Sequence, residues 1–144
     1  MEEHPLNLVE CNASWSRDIL GFRASPGEIF IFLRKDSLKT KEHLRILHHI
    51  SQMIMKSTRF KDTGTLIMLL LSGSDQIKEA YETVGIRKGD RNFLLAYSSP
   101  EDITRFLEEF GNTVSLNEFQ LEERNVSYDD TFFPAMVQVI LSIT

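Results

Sequence analysis

The chain has 144 residues, of which 42% are hydrophobic, and its net charge is −5. A chain of this length is expected to form one domain, 1–144, and to bury roughly 70% of its unfolded surface. The single cysteine, Cys11, excludes a disulfide framework and a multi-cysteine zinc site. No apolar run approaches the roughly 18 residues that span a bilayer, and the acidic start does not resemble a signal peptide. These features predict a folded cytoplasmic protein.

The charged residues are unevenly distributed along the chain. Residues 34–61 contain eight Lys or Arg side chains against two acidic ones, a local charge of +6. Residues 100–130 contain nine acidic side chains against two Arg, a local charge of −7. This separation indicates either two faces with different partners or solvated surfaces that differ only in sign.

The first predicted elements are two strands joined by a short helix. Alternating apolar residues predict a strand over 6–11, and Ser14 or Ser16 is the expected N-cap of a helix ending at Arg23. A strand is predicted over 28–34, because its inner residues 29–33 are apolar without interruption and mostly β-branched or aromatic, which is typical of a strand buried on both faces.

Three predicted helices follow. The first covers residues 40–57, and its expected core stripe is Ile46, Leu47, Ile50, Met53 and Ile54. The Leu/Met-rich run 65–71 indicates a second, buried helix. In the third helix, 75–84, one face has the residues Ile77, Ala80, Tyr81 and Val84. Ser74 or Asp75 is its expected N-cap, and Gly85 is expected in a left-handed C-terminal cap.

The last part of the chain predicts a strand, a helix, a strand and a helix. A strand over 92–97 precedes Ser99-Pro100, a strong helix start, and Gly111 is expected to end that helix. Its expected buried stripe is Ile103, Phe106, Leu107 and Phe110. A strand with a break or bulge near Asn117 is predicted over 114–121, followed by an acidic loop at 122–130. The final apolar helix contains Met136, Val137, Val139, Ile140, Leu141 and Ile143.

The order of these elements predicts an α/β (α+β) protein. We expect a small, mostly antiparallel sheet of about four strands, covered by five to six helices in a single two-layer domain.

No common catalytic motif occurs in the sequence. His43 and His48 are five residues apart, the wrong spacing for a shared metal ion on one helix face. Asp129 and Asp130 are more typical of helix-dipole partners than of an acid/base pair, and Cys11 is expected to be an inert core thiol. We therefore expect no enzyme, no cofactor and no metal, with a small hydrolase using Cys11 or Asp130 as the alternative.

Basic and aromatic residues are interleaved in the middle of the chain. They include Lys39, Lys41, Arg45, Lys56, Arg59, Phe60, Lys61, Tyr81, Arg87, Lys88 and Arg91. A basic groove with aromatic platforms is typical of single-stranded nucleic-acid binding, although Tyr81 on an apolar stripe is more typical of a core residue. Gln76, at a helix start, either caps its own helix or presents its amide to a base edge.

The stretch Ser72–Gly89 has a recognisable pattern. Ser-Gly-x-x-Gln-Ile-x-Glu-Ala, followed after four residues by Gly-Ile-x-x-Gly, resembles the signature of the PRPK-binding (kinase-binding) subunit of the KEOPS tRNA-modification complex. The resemblance covers residues 37–110 best. Asp75 departs from it, because family members usually have Arg or Lys there, and Leu66 replaces their usual Glu.

This resemblance implies a non-catalytic regulatory subunit. Such a subunit binds the atypical small kinase/ATPase of the complex and helps recruit tRNA, through its 3′ CCA end, for threonylcarbamoyladenosine formation. The implied RNA-binding residues are Ser72, Gly73, Gln76, Ile77, Lys56, Arg59, Lys61, Arg87 and Lys88. The implied kinase-binding residues are Val139, Ile140 and Ile143. Because Asp75 adds a negative charge, a kinase regulator without RNA affinity is the alternative. The expected location is the cytoplasm, and also the nucleus in a eukaryote.

Overall fold

The computed structural model describes residues 6–38, 41–118 and 132–144. Within these ranges the elements are β1 (Asn7–Ala13), β2 (Phe30–Arg34), α1 (Lys41–Ile54), α2 (Thr63–Ser72), α3 (Ile77–Val84), β3 (Asn92–Tyr97), α4 (Pro100–Phe110), β4 (Val114–Glu118) and α5 (Phe132–Ile143). The four strands form one antiparallel sheet and the five helices complete an α+β fold, which confirms the predicted class. No helix in the described ranges is long and apolar enough to cross a membrane.

The chain separates into two compact units. The sheet unit consists of the described residues of 1–35 and 86–120, and therefore contains all four strands and α4. The helical unit consists of the described residues of 36–85 and 121–144, and contains α1, α2, α3 and α5.

The central strand of the sheet is β3. The strand order is β2-β3-β1-β4, and every neighbouring pair is antiparallel. Residues 93–96 of β3 are all buried, because a strand inside a sheet loses solvent on both faces and both edges. The predicted burial on both faces of β2 is only partly confirmed, since this edge strand buries Ile31 and Leu33 but leaves Phe30 and Phe32 half-buried.

An aromatic cluster forms the core on one face of this sheet. It contains Phe22, Phe30, Phe32, Phe93, Phe106 and Phe110. Phe106 of α4 is fully buried and meets the ring of Phe22 edge-on, with ring centroids 5.2 Å apart. Such edge contacts pair the positive rim of one ring with the negative face of the other. Leu107, predicted in the same stripe, is exposed.

Asp102 in the first turn of α4 anchors the chain before β2. Its buried carboxylate accepts hydrogen bonds from the Ser25 N–H at 3.0 Å, from the Ser25 hydroxyl at 2.6 Å and from Arg105 at 2.7 Å. Burial acts to raise the pKa of Asp102, but the hydrogen bonds from Arg105 and Ser25 outweigh it, so the pKa lies below its ordinary value of 3.8. The predicted helix start is also confirmed, with Ser99 as N-cap.

Two local predictions for the sheet unit are wrong. The short helix before Arg23 is a single 3-10 turn, Ile19–Gly21, capped by Asp18, because the hydroxyls of Ser14 and Ser16 bond Thr113 instead. The register of β4 on β1 is continuous through Asn117, so no bulge occurs there. The loop 122–130, with Asp129 and Asp130, lies outside the described residues.

Helix α2 forms the core of the helical unit. Every residue from Leu66 to Leu70 is buried, and α1, α3 and α5 all contact α2. Its first turn is capped by the Asp62 carboxylate, which accepts from the Thr65 N–H at 3.2 Å. The buried helix predicted from the Leu/Met run is therefore confirmed.

The stripe predicted for α1 is rotated. The buried residues of this helix are His43, Leu44, Leu47 and Ser51, whereas Met53 is exposed. The α-helical part ends at Ile54, and the last residues of the predicted helix, Met55–Ser57, form a 3-10 turn. The prediction of a helix here is confirmed, but Leu47 is the only fully buried residue of the predicted stripe.

The left-handed cap predicted at Gly85 is wrong. Gly85 is extended, with φ −79° and ψ 169°, and the left-handed glycine is Gly73, with φ 72° at the end of α2. Gly85 is required for a different reason, because a Cβ there would lie 2.6 Å from the Tyr81 carbonyl oxygen and 3.3 Å from the Met68 methyl group. The N-cap of α3 is Gln76 rather than Ser74 or Asp75.

We expect Gly85→Ala to destabilise the protein by about 1–3 kcal/mol, because the added methyl group overlaps backbone that cannot move freely. Thermal unfolding followed by circular dichroism measures this. Gly21→Ala is the control, since a Cβ at Gly21 meets nothing within 4 Å. Equal melting temperatures for the two variants would contradict the close-approach explanation.

We expect Asp102 to make stability depend on acid pH. Because its pKa is lower in the folded state, its contribution is complete above the ordinary value of 3.8 and is lost as the pH falls through the folded-state pKa. Urea unfolding at pH 7 and pH 3 should therefore show a smaller pH-dependent loss for Asp102→Asn than for the parent. Glu101→Gln, a change at an exposed neighbour, is the control for charge removal. A parent-like loss in Asp102→Asn would exclude this role.

Candidate functional site

The turn between α2 and α3, residues 73–76, contains the centre of the recognisable pattern. Gly73 donates its N–H to the Leu69 carbonyl oxygen at 3.0 Å while its φ is left-handed, a conformation that residues with a Cβ rarely adopt. The Ser72 hydroxyl donates to the same oxygen at 3.0 Å and accepts from the Ser74 N–H at 3.2 Å. Local hydrogen bonds therefore determine the conformation of the 73–76 turn.

Gln76 is available at the end of this turn. Its backbone N–H donates to the Ser74 hydroxyl at 3.1 Å, but its side chain forms no capping hydrogen bond with α3. The side chain is exposed. Gln76 therefore occupies the N-cap position of α3 but does not cap the helix with its side chain. Of the two interpretations of this side chain, the amide that is free to contact a ligand is the one that remains.

Asp75 is directed toward α5. Its carboxylate accepts a hydrogen bond from the Ser142 hydroxyl at 2.5 Å. Gly73 also lies against α5, since a Cβ at that position would be 3.4 Å from the Ala135 methyl group. The 73–76 turn is thus attached to α5 at two points, two helical turns apart. One oxygen of the Asp75 carboxylate is therefore occupied by this contact.

Two apolar side chains of α3 are exposed next to the turn. Ile77 is 44% exposed and Tyr81 is 47% exposed, although periodicity predicts both on the buried face. Burial of the Tyr81 hydroxyl and the nearby charge of Asp62 raise the pKa of Tyr81. The interaction with Thr65 acts in the opposite direction but does not outweigh them. The hydroxyl therefore lies near the start of α2, while part of the ring is solvent-accessible.

The predicted basic residues are divided between the two units. Lys56, Arg59 and Lys61 are exposed in the helical unit, and the Arg59 guanidinium lies over the Phe60 ring, 4.8 Å from its centroid. Lys61 donates to the Thr58 carbonyl oxygen at 3.2 Å.

Arg87 and Lys88 belong to the sheet unit. The Lys88 ammonium lies 3.0 Å from the Asp18 carboxylate, and this hydrogen bond is the main reason that the pKa of Asp18 is lowered. Lys88 is therefore already paired with an acidic side chain.

The exposed face of α5 differs from the predicted one. Val139 and Ile143 are only 3% and 4% exposed, so both belong to the buried face with Met136, and Ile140 is half-buried. Val137, 47% exposed, and Leu141, 68% exposed, face solvent. The residues that are free for a partner are therefore Val137 and Leu141, not Val139 and Ile143. The four-residue spacing of this pair is visible in the sequence, but both faces of the helix are apolar.

The residues considered for catalysis or metal binding are placed as follows. Cys11 is fully buried in β1, and this burial raises its pKa to about 12, so the group is a neutral thiol rather than a nucleophilic thiolate. His43 is buried in α1 and His49 is exposed. The described part of the chain contains no group of three side chains that could hold a metal ion.

Comparison with known proteins adds no relative. No protein-family model matches the chain, and no curated protein matches it in sequence.

Proposed function

We propose that this chain is a non-catalytic regulatory subunit of the KEOPS type. It binds the atypical small kinase/ATPase of that complex and helps recruit tRNA through the 3′ CCA end for threonylcarbamoyladenosine formation. It needs no cofactor and acts in the cytoplasm, and also in the nucleus if the cell has one. The observation that supports this best is the 73–76 turn, in which left-handed Gly73 and the free amide of Gln76 occupy positions of the recognisable pattern.

The RNA part of the proposal rests on the chemistry around this turn. A free amide can pair with the edge of an unstacked base, and the first N–H groups of a helix favour a phosphate. Ile77 and the exposed part of the Tyr81 ring supply apolar surface beside it. Lys56, Arg59 and Lys61 supply positive charge in the same unit. This combination suits a short single strand better than a duplex.

The partner part of the proposal rests on α5. Val137 and Leu141 are exposed one helical turn apart, and the described residues leave both side chains largely uncovered. Full burial of such a side chain contributes about 1.5–3 kcal/mol. Val137 and Leu141 together can form the centre of an interface. Neighbouring contacts must contribute further binding free energy before it exceeds the entropic cost of association.

A kinase regulator without RNA affinity is the second candidate. The carboxylate of Asp75 within the turn and the net charge of −5 favour it, because both repel phosphates. The Asp75–Ser142 hydrogen bond supports this candidate further, since it gives Asp75 a role that does not involve RNA.

We expect Val137→Arg or Leu141→Arg to lower affinity for a purified KEOPS-type kinase at least tenfold, because each places a charge in an apolar interface. Isothermal titration calorimetry measures the affinity, and circular dichroism verifies the fold. Gln138→Arg introduces the same charge at an exposed position between them and should have a smaller effect. Folded Val137 and Leu141 variants with parent affinity would move the interface away from α5.

We expect intact tRNA to bind more tightly than tRNA without its terminal CCA, and the difference to disappear in Gln76→Ala. The double variant Lys56→Glu/Arg59→Glu should weaken binding to both RNAs. Asp75→Arg should strengthen it, because it replaces a negative charge that repels phosphates with a positive charge that attracts them. Filter binding at several salt concentrations measures these affinities. Equal binding of the two RNAs by the parent protein would reject the tail site, and no binding would leave only the kinase regulator.

A further inference from the structure

A polar cleft of about 480 Å³ lies at one end of the sheet. β1 is antiparallel to both β3 and β4, so its last residues and the first residues of its two neighbours meet at this end. The cleft lies entirely within the sheet unit, and Arg91 is the one residue of its lining that was considered above for nucleic-acid binding.

The walls of the cleft are held by hydrogen bonds between its loops. The Ser14 N–H donates to the Thr113 carbonyl oxygen at 2.8 Å, and the Ala13 N–H donates to the Arg91 carbonyl oxygen at 2.9 Å. Next to this rim, Trp15 has a left-handed backbone with φ 60°, and its indole N–H donates to the Asp90 carbonyl oxygen at 2.6 Å. Such strain persists only where surrounding contacts impose it, and it is concentrated at ligand sites.

Arg91 is the one charged residue among those that line the cleft. Its guanidinium forms no ion pair with any acidic side chain in the described ranges. The remaining polar side chains of the lining are Asn12, Ser14, Asn112, Thr113 and Ser115. The Ser14 hydroxyl already donates to the Thr113 carbonyl oxygen and the Thr113 hydroxyl is bonded to Ser16, so the neutral donors left for a ligand are the amides of Asn12 and Asn112 and the hydroxyl of Ser115. A rim with hydrogen-bond donors and a single unpaired positive charge favours an anionic ligand.

The end of α4 also borders the cleft, and its carbonyl groups oppose an anion there. Two of these groups are already occupied. The Phe110 carbonyl oxygen accepts from the Thr113 N–H at 2.8 Å, and the Glu109 carbonyl oxygen accepts from the Arg17 guanidinium at 2.5 Å. The repulsion between these carbonyl groups and an anion is therefore reduced, and the charge of Arg91 makes the electrostatic potential of the cleft positive.

We propose that this cleft binds the phosphate group of a small polar phosphomonoester, with Arg91 as the main contact. The planar guanidinium matches two phosphate oxygens at once, and the amides of Asn12 and Asn112 and the hydroxyl of Ser115 add neutral donors. The volume is within the range of small-molecule sites and leaves space beyond the phosphate. Since no aromatic side chain belongs to the lining, a sugar fits the remaining space better than a base.

Trp15 allows a direct test, because it is the only tryptophan in the chain and lies next to the cleft. We expect ribose 5-phosphate to change its fluorescence saturably in the full-length protein, inorganic phosphate to bind more weakly and ribose to have no effect. Arg91→Ala should weaken ribose 5-phosphate binding at least tenfold. Arg91→Lys should have an intermediate affinity, because lysine keeps the positive charge but lacks the planar guanidinium that can contact two phosphate oxygens. Arg23→Ala, an exposed arginine of the same unit outside the cleft, should bind like the parent.

Several outcomes would overturn the proposal. One is equal binding of ribose and ribose 5-phosphate, and another is parent-like affinity in a folded Arg91→Ala. A third is the absence of any response to ribose 5-phosphate, in fluorescence and in the amide NMR signals of Ser14, Trp15 and Thr113. A short oligoribonucleotide without a terminal phosphate tests whether the cleft binds nucleic acid. If it binds as tightly as ribose 5-phosphate, the cleft contacts backbone phosphates instead.

Discussion

Helix α2 is the element on which the helical unit depends. Its residues are all buried or half-buried, and a helix that is apolar on every side has to be covered on every side. Helices α1, α3 and α5 meet this requirement. Because α3 must pack beside α2 only four residues after it ends, the connection has to be tight, and left-handed Gly73 makes it so. The geometry of the candidate site is therefore a consequence of burying α2.

The same constraint joins the two halves of the proposed function. The 73–76 turn is attached to α5 through Asp75 and Ser142 and through the close approach of Gly73 to Ala135. The apolar side chains proposed for a kinase are on the exposed face of that same helix. If the turn binds RNA and α5 binds the kinase, as proposed, these contacts connect the two surfaces directly.

The sheet unit is organised differently, around the buried residues 93–96 of β3 and the aromatic cluster on one face of the sheet. Rigid packing leaves the ends of the strands as the places where polar groups gather. At one end Asp102 uses its carboxylate to hold the chain before β2. At another, Trp15 and Thr113 hold the loops around Arg91. The first arrangement satisfies its own charge, whereas the second leaves a positive charge open to a ligand.

The sequence by itself determined the order of the four strands and five α-helices, the buried character of α2 and the Ser99-Pro100 start of α4. These depend on hydrogen bonds and periodicities within a few residues, which local patterns express directly. Tertiary structure alone decided that Gly73, not Gly85, is left-handed, that Gln76 has a free amide, and that Val137 and Leu141 rather than Val139 and Ile143 face solvent. In α5 both faces are apolar, so only the position of α2 beside it determines which face is buried.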